Sequence, residues 1–302
     1  MLRAFSYEGD DVRRIVVTAP AKVNLFLGIG AARPDGFHDV TTVLHTLELT
    51  DTIRLEPAPT FSLTCTPDIG IPAEDNLALR AARAFAERFG MTGGVAIELT
   101  KRIPSGAGLG GGSSDAAAVL AGLAEAHGVA FDDPDLLGIA RSLGADVAFF
   151  LTDGAALMTG RGDVIERTLP AIVTPVVVLK PSASVPTAAA YRAFDADPLP
   201  AGDPAPVLAA MGRADLAALG SVLANNMTAA AVSLVPEVAD ALAWVSDEPS
   251  VLGAAVAGSG SAVFALCADE QGARRIAALA PGKGLWGIAT STRTSGVTWT
   301  NE

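Results

Sequence analysis

The chain has 302 residues, a length that suits one large or two medium domains. Half of it is hydrophobic and 18% is charged, which gives ample apolar material for a packed core and argues against disorder. A formal net charge of -12 works against binding nucleic acid or anionic lipid, so neither is expected as a partner. A nucleotide ligand is still allowed, because a phosphate site needs only local N–H groups and one or two cations.

Cys65 and Cys267 lie far apart in apolar, strand-like runs and read as small buried hydrophobes with free thiols. The histidines have no close Cys or His neighbours, so there is no zinc pattern and no metal ligand set is assigned. The first fourteen residues carry Glu8, Asp10 and Asp11 among arginines, with no apolar stretch after them, which argues against a targeting segment. Ser250 to Ala268 is uncharged and near membrane-spanning length, but Gly258-Ser259-Gly260-Ser261 interrupts it as a turn between two short strands. A cytoplasmic protein is the expectation.

In chain order, Ile15-Val16-Val17, Val23 to Ile29 and Val40 to Leu49 read as strands, the last closed by Thr50-Asp51. Asp75 to Phe89 has helical spacing, with Asp75 as a cap and Gly90 as a stop. Val95 to Leu99 is a strand, Lys101 to Gly112 a loop, and Ser113 to His127 an alanine-rich helix. Pro134 to Leu143 is a further helix, and Val147 to Leu151 and Ala155 to Thr159 are short strands. A composition shift near residue 165 then divides a first domain, 1–165, from a second, 166–302. The second opens with a strand at Val176 to Lys180 and a proline- and alanine-rich linker at Pro198 to Pro206. Helices follow at Val207 to Met211, Leu216 to Asn226 and Pro236 to Ser246. After the strand–turn–strand around the second glycine cluster, a last helix runs from Glu270 to Leu279. Runs of strands and helices without regular alternation indicate an α+β fold.

The chemistry concentrates at Pro104-Ser105-Gly106-Ala107-Gly108-Leu109-Gly110-Gly111-Gly112-Ser113-Ser114. Five glycines in seven residues let backbone N–H groups converge on an anion, and the helix that follows points its positive end at the same place. This is a phosphate cradle, but not the Walker loop, since no Lys-Ser/Thr pair follows the last glycine. Gly106, Gly108 and Gly111 also satisfy G-x-G-x-x-G, which leaves a dinucleotide-dependent oxidoreductase open. Against it, the strand ends near Thr100, too early for the tight turn that such a fold uses.

The same loop resembles the ATP loop of the GHMP kinases. Ala19-Pro20-Ala21-Lys22-Val23-Asn24-Leu25-Phe26-Leu27 resembles that superfamily's N-terminal strand motif, and 257–266 its C-terminal glycine loop, Gly258-Ser259-Gly260-Ser261. Within the superfamily the chain is similar to the 4-diphosphocytidyl-2-C-methyl-D-erythritol kinases, through Ala21 to Leu27, Arg33-Pro34-Asp35-Gly36-Phe37-His38, and Leu143 to Phe150. The resemblance implies a ribosomal-protein-S5-like N-terminal domain, a ferredoxin-like C-terminal domain, ATP and Mg²⁺ as cofactors, and a substrate with a cytidine diphosphate moiety. It implies phosphorylation of that substrate's 2-hydroxyl, by a monomer or weak homodimer.

Residue roles come with the resemblance. Asp146 matches the catalytic aspartate, which orients the hydroxyl and takes its proton, and Lys22 the catalytic lysine, which stabilises charge on the attacking oxygen. Phe37 and His38 match the residues that hold cytosine, with Phe where the family often has Tyr. Asn24 and Thr187 are candidate substrate contacts. Tyr191 is either a second aromatic against the base or an ordinary half-buried helix tyrosine. The family's Asn-Asp-Leu-Glu stretch stands here as Asn225-Asn226-Met227-Thr228, so a carboxylate role there is lost. Ser113 or Ser114 and the ATP phosphates are the expected Mg²⁺ partners. His45 and His127 match nothing and read as structural or surface histidines. The residues alone leave open a kinase for another small alcohol.

Overall fold

The chain's computed structural model describes residues 14–301. All but the last of the first fourteen residues, read above as carrying no targeting segment, lie outside that range. Two antiparallel-rich sheets and nine α-helices build the described residues. The first part contains β1 (Ile15–Ala32), β2 (His38–Ala58), β3 (Ser62–Thr66), α1 (Leu77–Phe89), β4 (Gly94–Thr100), α2 (Gly111–His127), α3 (Pro134–Leu143), β5 (Ala155–Thr159) and β6 (Val164–Thr168). The chain continues through β7 (Pro175–Pro181), α4 (Thr187–Ala196), α5 (Ala205–Gly212), α6 (Leu216–Ser221), β8 (Ala224–Asn225), α7 (Thr228–Leu234) and α8 (Glu237–Ser246). It ends with β9 (Val251–Val256), β10 (Val263–Cys267), α9 (Glu270–Leu279), β11 (Leu285–Ser291) and β12 (Thr298–Asn301).

One sheet has the order β12-β1-β2-β4-β3, with β5 and β6 extending from β2 and β8 lying parallel to β1. The other runs β11-β7-β10-β9, antiparallel throughout. Strand β12 returns from the far end of the chain to pair Thr298 with Thr18 on β1. The fold is α+β, as the irregular element order implies.

Strand β1 serves two cores. Ile15, Val17 and Ala19 pack under α1 and α2, whereas Ala21, Val23 and Leu25 pack toward Val176, Val178 and Phe264 of the second sheet. The register irregularity between Pro20 and Lys22 marks the change of core. Past it, Lys22 and Asn24 alternate with the buried apolar residues and so share the opposite face. Helix α2 is buried nearly all round from Ser114 to Ala124, which its small side chains permit; a β-carbon at Gly122 would press on Leu55 Cδ1 at 2.5 Å.

Several boundaries differ from the sequence reading, each for a local reason. Strand β2 runs on through Thr50-Asp51, because the fully buried Asp51 accepts the N–H groups of Arg102 (2.5 Å) and Ile103 (2.9 Å) rather than turning the chain. Asn76, not Asp75, caps α1, its Oδ1 accepting the Ala78 N–H at 3.0 Å. Helix α2 starts at Gly111, two residues before Ser113, with the Ser114 N–H donating to Gly110 O at 2.9 Å. Residues 148–151 form a 3₁₀ turn, not a strand: the Thr152 N–H donates back to Phe149 O at 3.0 Å, and Phe149 and Phe150 are both buried in the core. The helix predicted to Asn226 ends at Ser221, and β6, α7, β11 and β12 were not foreseen. Both cysteines are free; Cys267 is buried, its thiol pushed up to about 11 by that burial, whereas Cys65 is half-buried on the edge strand β3. His127 is buried, its ring 5.6 Å from that of Phe85.

His45 is structural. It is buried on β2, where its Nε2 accepts the Ile172 N–H at 3.0 Å and its Nδ1 donates to Thr46 O at 3.1 Å. Burial pushes its pKa down from 6.5 to about 4, only partly opposed by the Thr46 contact. The unfolded chain then binds the extra proton, so the stability His45 contributes is present above pH 6.5 and lost as pH falls toward 4. His45→Gln, which keeps a donor and an acceptor, is expected to lose about 2 kcal/mol less than the parent between pH 7.5 and pH 5. Urea unfolding of both proteins at the two pH values checks this, the comparison cancelling carboxylate titrations common to both.

Candidate active site

The cradle is a ladder of alternating anchors and turns. Ile103, Ala107 and Leu109 are buried in the core between the sheets, while Gly106, Gly108 and Gly110 take φ values of 62°, 77° and 73°. Those left-handed values turn the backbone between anchors at a cost that only glycine avoids. A β-carbon at Gly108 would run into the Ala257 carbonyl oxygen, so the two glycine loops are in direct contact. The Ala262 N–H donates to Ala107 O at 3.1 Å across the same seam. From Gly111 onward the helix N-terminus of α2 leaves its first N–H groups facing the cleft.

Lys22 stands beside this loop. Its backbone N–H donates to Leu109 O at 2.9 Å, and a β-carbon on Gly110 would meet its Cγ at 2.9 Å. The ammonium, nearly buried, donates to Asn24 Oδ1 at 2.9 Å and lies 3.3 Å from Asp146 Oδ2. Asn24 is in turn fixed: its Nδ2 donates to Thr42 Oγ1 at 2.9 Å, and that hydroxyl donates to Phe26 O at 2.6 Å. This relay sets the amide's orientation, so its oxygen faces Lys22. Asp146, at the head of the 3₁₀ turn, keeps about 29% of its side chain exposed toward the cleft.

A cleft of about 460 Å³ collects most of the candidates. Lys22, Asn24, Asp146, Thr187, Tyr191, Gly258 and Ser259 line it, together with the loop from Pro104 to Ser113. Ser114 does not; its side chain is wholly buried, leaving Ser113 as the hydroxyl of that pair on the cleft. Gly260 and Ser261 also lie behind the wall, Ser261 Oγ donating to Ala183 O at 2.7 Å, while Ser259 Oγ sits 3.2 Å from Thr187 Oγ1.

Phe37 and His38 stand outside the cleft lining; each adjoins a residue that lines it, Phe37 beside Arg161 and His38 beside Tyr191, and this is the outer end. Phe37 is 53% exposed, with the Arg161 guanidinium 4.7 Å from its ring centroid. His38 is buried, its ring 5.3 Å from that of Tyr191, and its Nε2 donates to Asp195 Oδ1 at 2.8 Å. Asp195 therefore already takes one of the two ring nitrogens of the residue matched to cytosine binding. The Tyr191 hydroxyl is pushed up by burial and by the nearby Asp146 charge.

Several groups on or behind this cleft were not read from the sequence. Lys101 is held between two buried carboxylates, Asp51 and Asp115, the latter at 2.7 Å. Burial pushes the Asp115 carboxyl up, Lys101 opposes that and Asp51 adds to it. Asn225 Nδ2 donates to Val256 O (2.9 Å) and Gly258 O (2.8 Å), holding the second glycine loop as a carboxylate could not. Arg161 and Asp195 join the outer end. A cation beside a glycine loop and an acid after one were the available signals, but their partners lie too far along the chain for spacing to reveal.

An anion cradle at a helix N-terminus, facing a lysine–aspartate pair across one cleft, is the arrangement of a phosphoryl-transfer site. The models of the GHMP kinases N terminal domain and the GHMP kinases C terminal domain match residues 76–154 and 207–280. The chain belongs to the GHMP kinases. It is 39% identical over 267 residues to the 4-diphosphocytidyl-2-C-methyl-D-erythritol kinase of Pelotomaculum thermopropionicum, covering 87% of this chain and 93% of that one. A crystal structure of 4-(cytidine 5'-diphospho)-2C-methyl-D-erythritol kinase superposes with a TM-score of 0.77 at 36% identity, over 92% of this chain and 99% of that chain. Homoserine kinase from Cytophaga hutchinsonii shares the fold at a TM-score of 0.75 and 20% identity, covering 98% and 99% of the two chains. Among GHMP kinases, then, this chain groups with the 4-diphosphocytidyl-2-C-methyl-D-erythritol kinases.

Gly112 offers a direct test of the cradle. It is exposed on the cleft, and a β-carbon there would meet nothing closer than Leu77 Cδ1 at 3.9 Å. Gly112→Val is expected to weaken ATP binding at least about tenfold by obstructing the helix N-terminus, with little change in thermal midpoint. Gly138→Val, on the exposed side of α3 with open space around it, is the matched control and is expected to bind ATP normally in the same titration.

Proposed function

We propose that the chain transfers the γ-phosphoryl group of ATP to the 2-hydroxyl of 4-diphosphocytidyl-2-C-methyl-D-erythritol, a step of the non-mevalonate isoprenoid precursor pathway. The observation that carries this reading is the Lys22–Asp146 pair, 3.3 Å apart beside the glycine loop on one cleft. The relatives supply the substrate, and the geometry supports the reaction type. Residues up to about 165 provide the nucleotide and catalytic side, and 166–302 the facing wall through Thr187, Tyr191 and the loop at 258–261.

In this reading the triphosphate lies along Pro104 to Ser113, with N–H groups of the loop and of α2 on its oxygens. Asp146 orients the acceptor hydroxyl and takes its proton as the new P–O bond forms. Lys22 balances the negative charge on the attacking oxygen, and Asn24 keeps the ammonium from swinging away. Phe37, His38 and Tyr191 hold the cytosine at the outer end, where stacking needs a ring face and not the hydroxyl of the family's usual Tyr.

Mg²⁺ accompanies the nucleotide. No cluster of three His, Cys, Asp or Glu side chains suited to a metal occurs among the described residues. Ser113, the hydroxyl of the Ser113-Ser114 pair that lines the cleft, would be the ion's protein partner, and so sparse a set fits a cation that keeps its waters and binds mainly phosphate. When bound, it would neutralise charge on the phosphate oxygens. The enzyme is taken to act in the cytoplasm as a monomer or weak homodimer; no helix among the described residues is long and apolar enough to cross a membrane.

Coupled ADP release tests the assignment. Turnover is expected with the cytidylyl-linked alcohol and not with mevalonate or homoserine; the reverse pattern would replace the substrate while keeping the kinase. Asp146→Asn is expected to lower kcat by about a hundred- to ten-thousand-fold with ATP affinity retained. A variant that turns over at the parent rate would remove Asp146 from the role of base.

A further inference from the structure

We infer that Lys180 is a positioning residue for the nucleotide cradle, acting through the turn at 181–184; this rests on the phosphoryl-transfer reading. Lys180 ends β7 and is 8% exposed, yet it has no carboxylate partner among the described residues. Its ammonium instead donates to three successive carbonyl oxygens of the turn, those of Pro181 (3.0 Å), Ser182 (3.5 Å) and Ala183 (3.4 Å). Burial lowers its pKa, which is the cost of keeping a cation there.

That turn touches both glycine loops. Ser184 packs against Gly106, where a β-carbon would meet the serine's Cβ at 2.9 Å. Ala183 O receives a second donor, the Ser261 hydroxyl at 2.7 Å, which ties the turn to the second loop. Lys180 also borders, with Pro104 and Ser105, a concavity behind the first residues of the cradle. Three carbonyl dipoles converging beside an anion site repel one another and any phosphate nearby. The ammonium collects them at one point and so fixes the turn whose Ser184 rests against the loop's first glycine. Replacing it leaves buried acceptors unpaired, and the turn relaxes toward the loop.

Lys180→Met keeps the aliphatic stem and removes the charge. Equilibrium titration with a non-hydrolysable ATP analogue is expected to show about tenfold weaker binding, equivalent to one lost buried acceptor contact. KM for ATP should rise with it, while KM for the alcohol stays within about twofold and Lys180→Arg recovers part of the loss. Ser261→Ala acts through the same Ala183 carbonyl, so its effect combined with Lys180→Met should fall short of additive. A folded Lys180→Met protein that binds the analogue as the parent does would overturn the inference, and so would full additivity in the double variant. Should Lys180→Met fail to fold, Ser261→Ala alone decides, because parent-like nucleotide affinity there disconnects the turn from the cradle. Failure of the parent itself to bind the analogue would instead sink the kinase reading.

Discussion

The Lys101 ammonium sits between two buried carboxylates, and the site is assembled around it. Asp51 comes from the middle of β2 and Asp115 from the first turns of α2, while Lys101 stands where β4 ends. Asp51 also accepts the N–H groups of Arg102 and Ile103, so the chain leaves the sheet in one direction only. Both ends of the glycine loop are thereby fixed to the sheet, one by backbone hydrogen bonds and the other through Asp115. Breaking a buried ion pair of this kind by removing one partner typically costs about 3–5 kcal/mol, because the other charge is left uncompensated. The benefit is geometric: a loop with five glycines has one conformation instead of many.

The rest of the cradle is held by apolar anchors and by close backbone approach. Ala107 and Leu109 are buried, and the glycines between them turn the chain; Gly108 rests on Ala257 of the second loop. Because that contact is backbone to backbone, the two loops form one surface contributed by distant parts of the chain. Asn225 secures the second loop from behind, its amide donating to the carbonyls of Val256 and Gly258. Lys22 is the point where strand, cradle and base meet: its backbone binds Leu109, its stem packs on Gly110, and its charge reaches Asp146.

The two ends of the cleft carry different information. A homoserine kinase of 20% identity shares the fold over nearly the whole of both chains. Under the proposed assignment, discrimination among alcohols falls to the outer end, where Arg161 packs on Phe37 and His38 lies beside Tyr191. There His38 is oriented by Asp195, and Arg161 packs on Phe37, so the aromatic side chains have defined positions before any base arrives.

The sequence by itself determined the family and the glycine loop between strand and helix, because both are written in contiguous residues. Lys101 to Ser114 reads as a phosphate loop from glycine density and a following helix, and α3, α9 and the β9–β10 turn were placed at or within a residue of their observed bounds. Only the tertiary structure decided which polar residues are buried and what they hold. Asp51 looked like a turn and is a strand residue, because its partner lies fifty positions away. Phe149-Phe150 looked like a strand and is a 3₁₀ turn, because both rings have a core to enter. Thr298 to Asn301 gave no sign that it would pair with β1. Local patterns report a residue's preference for its neighbours in sequence. Burial, charge compensation and strand pairing depend on neighbours in space, and these are fixed only once the chain has folded.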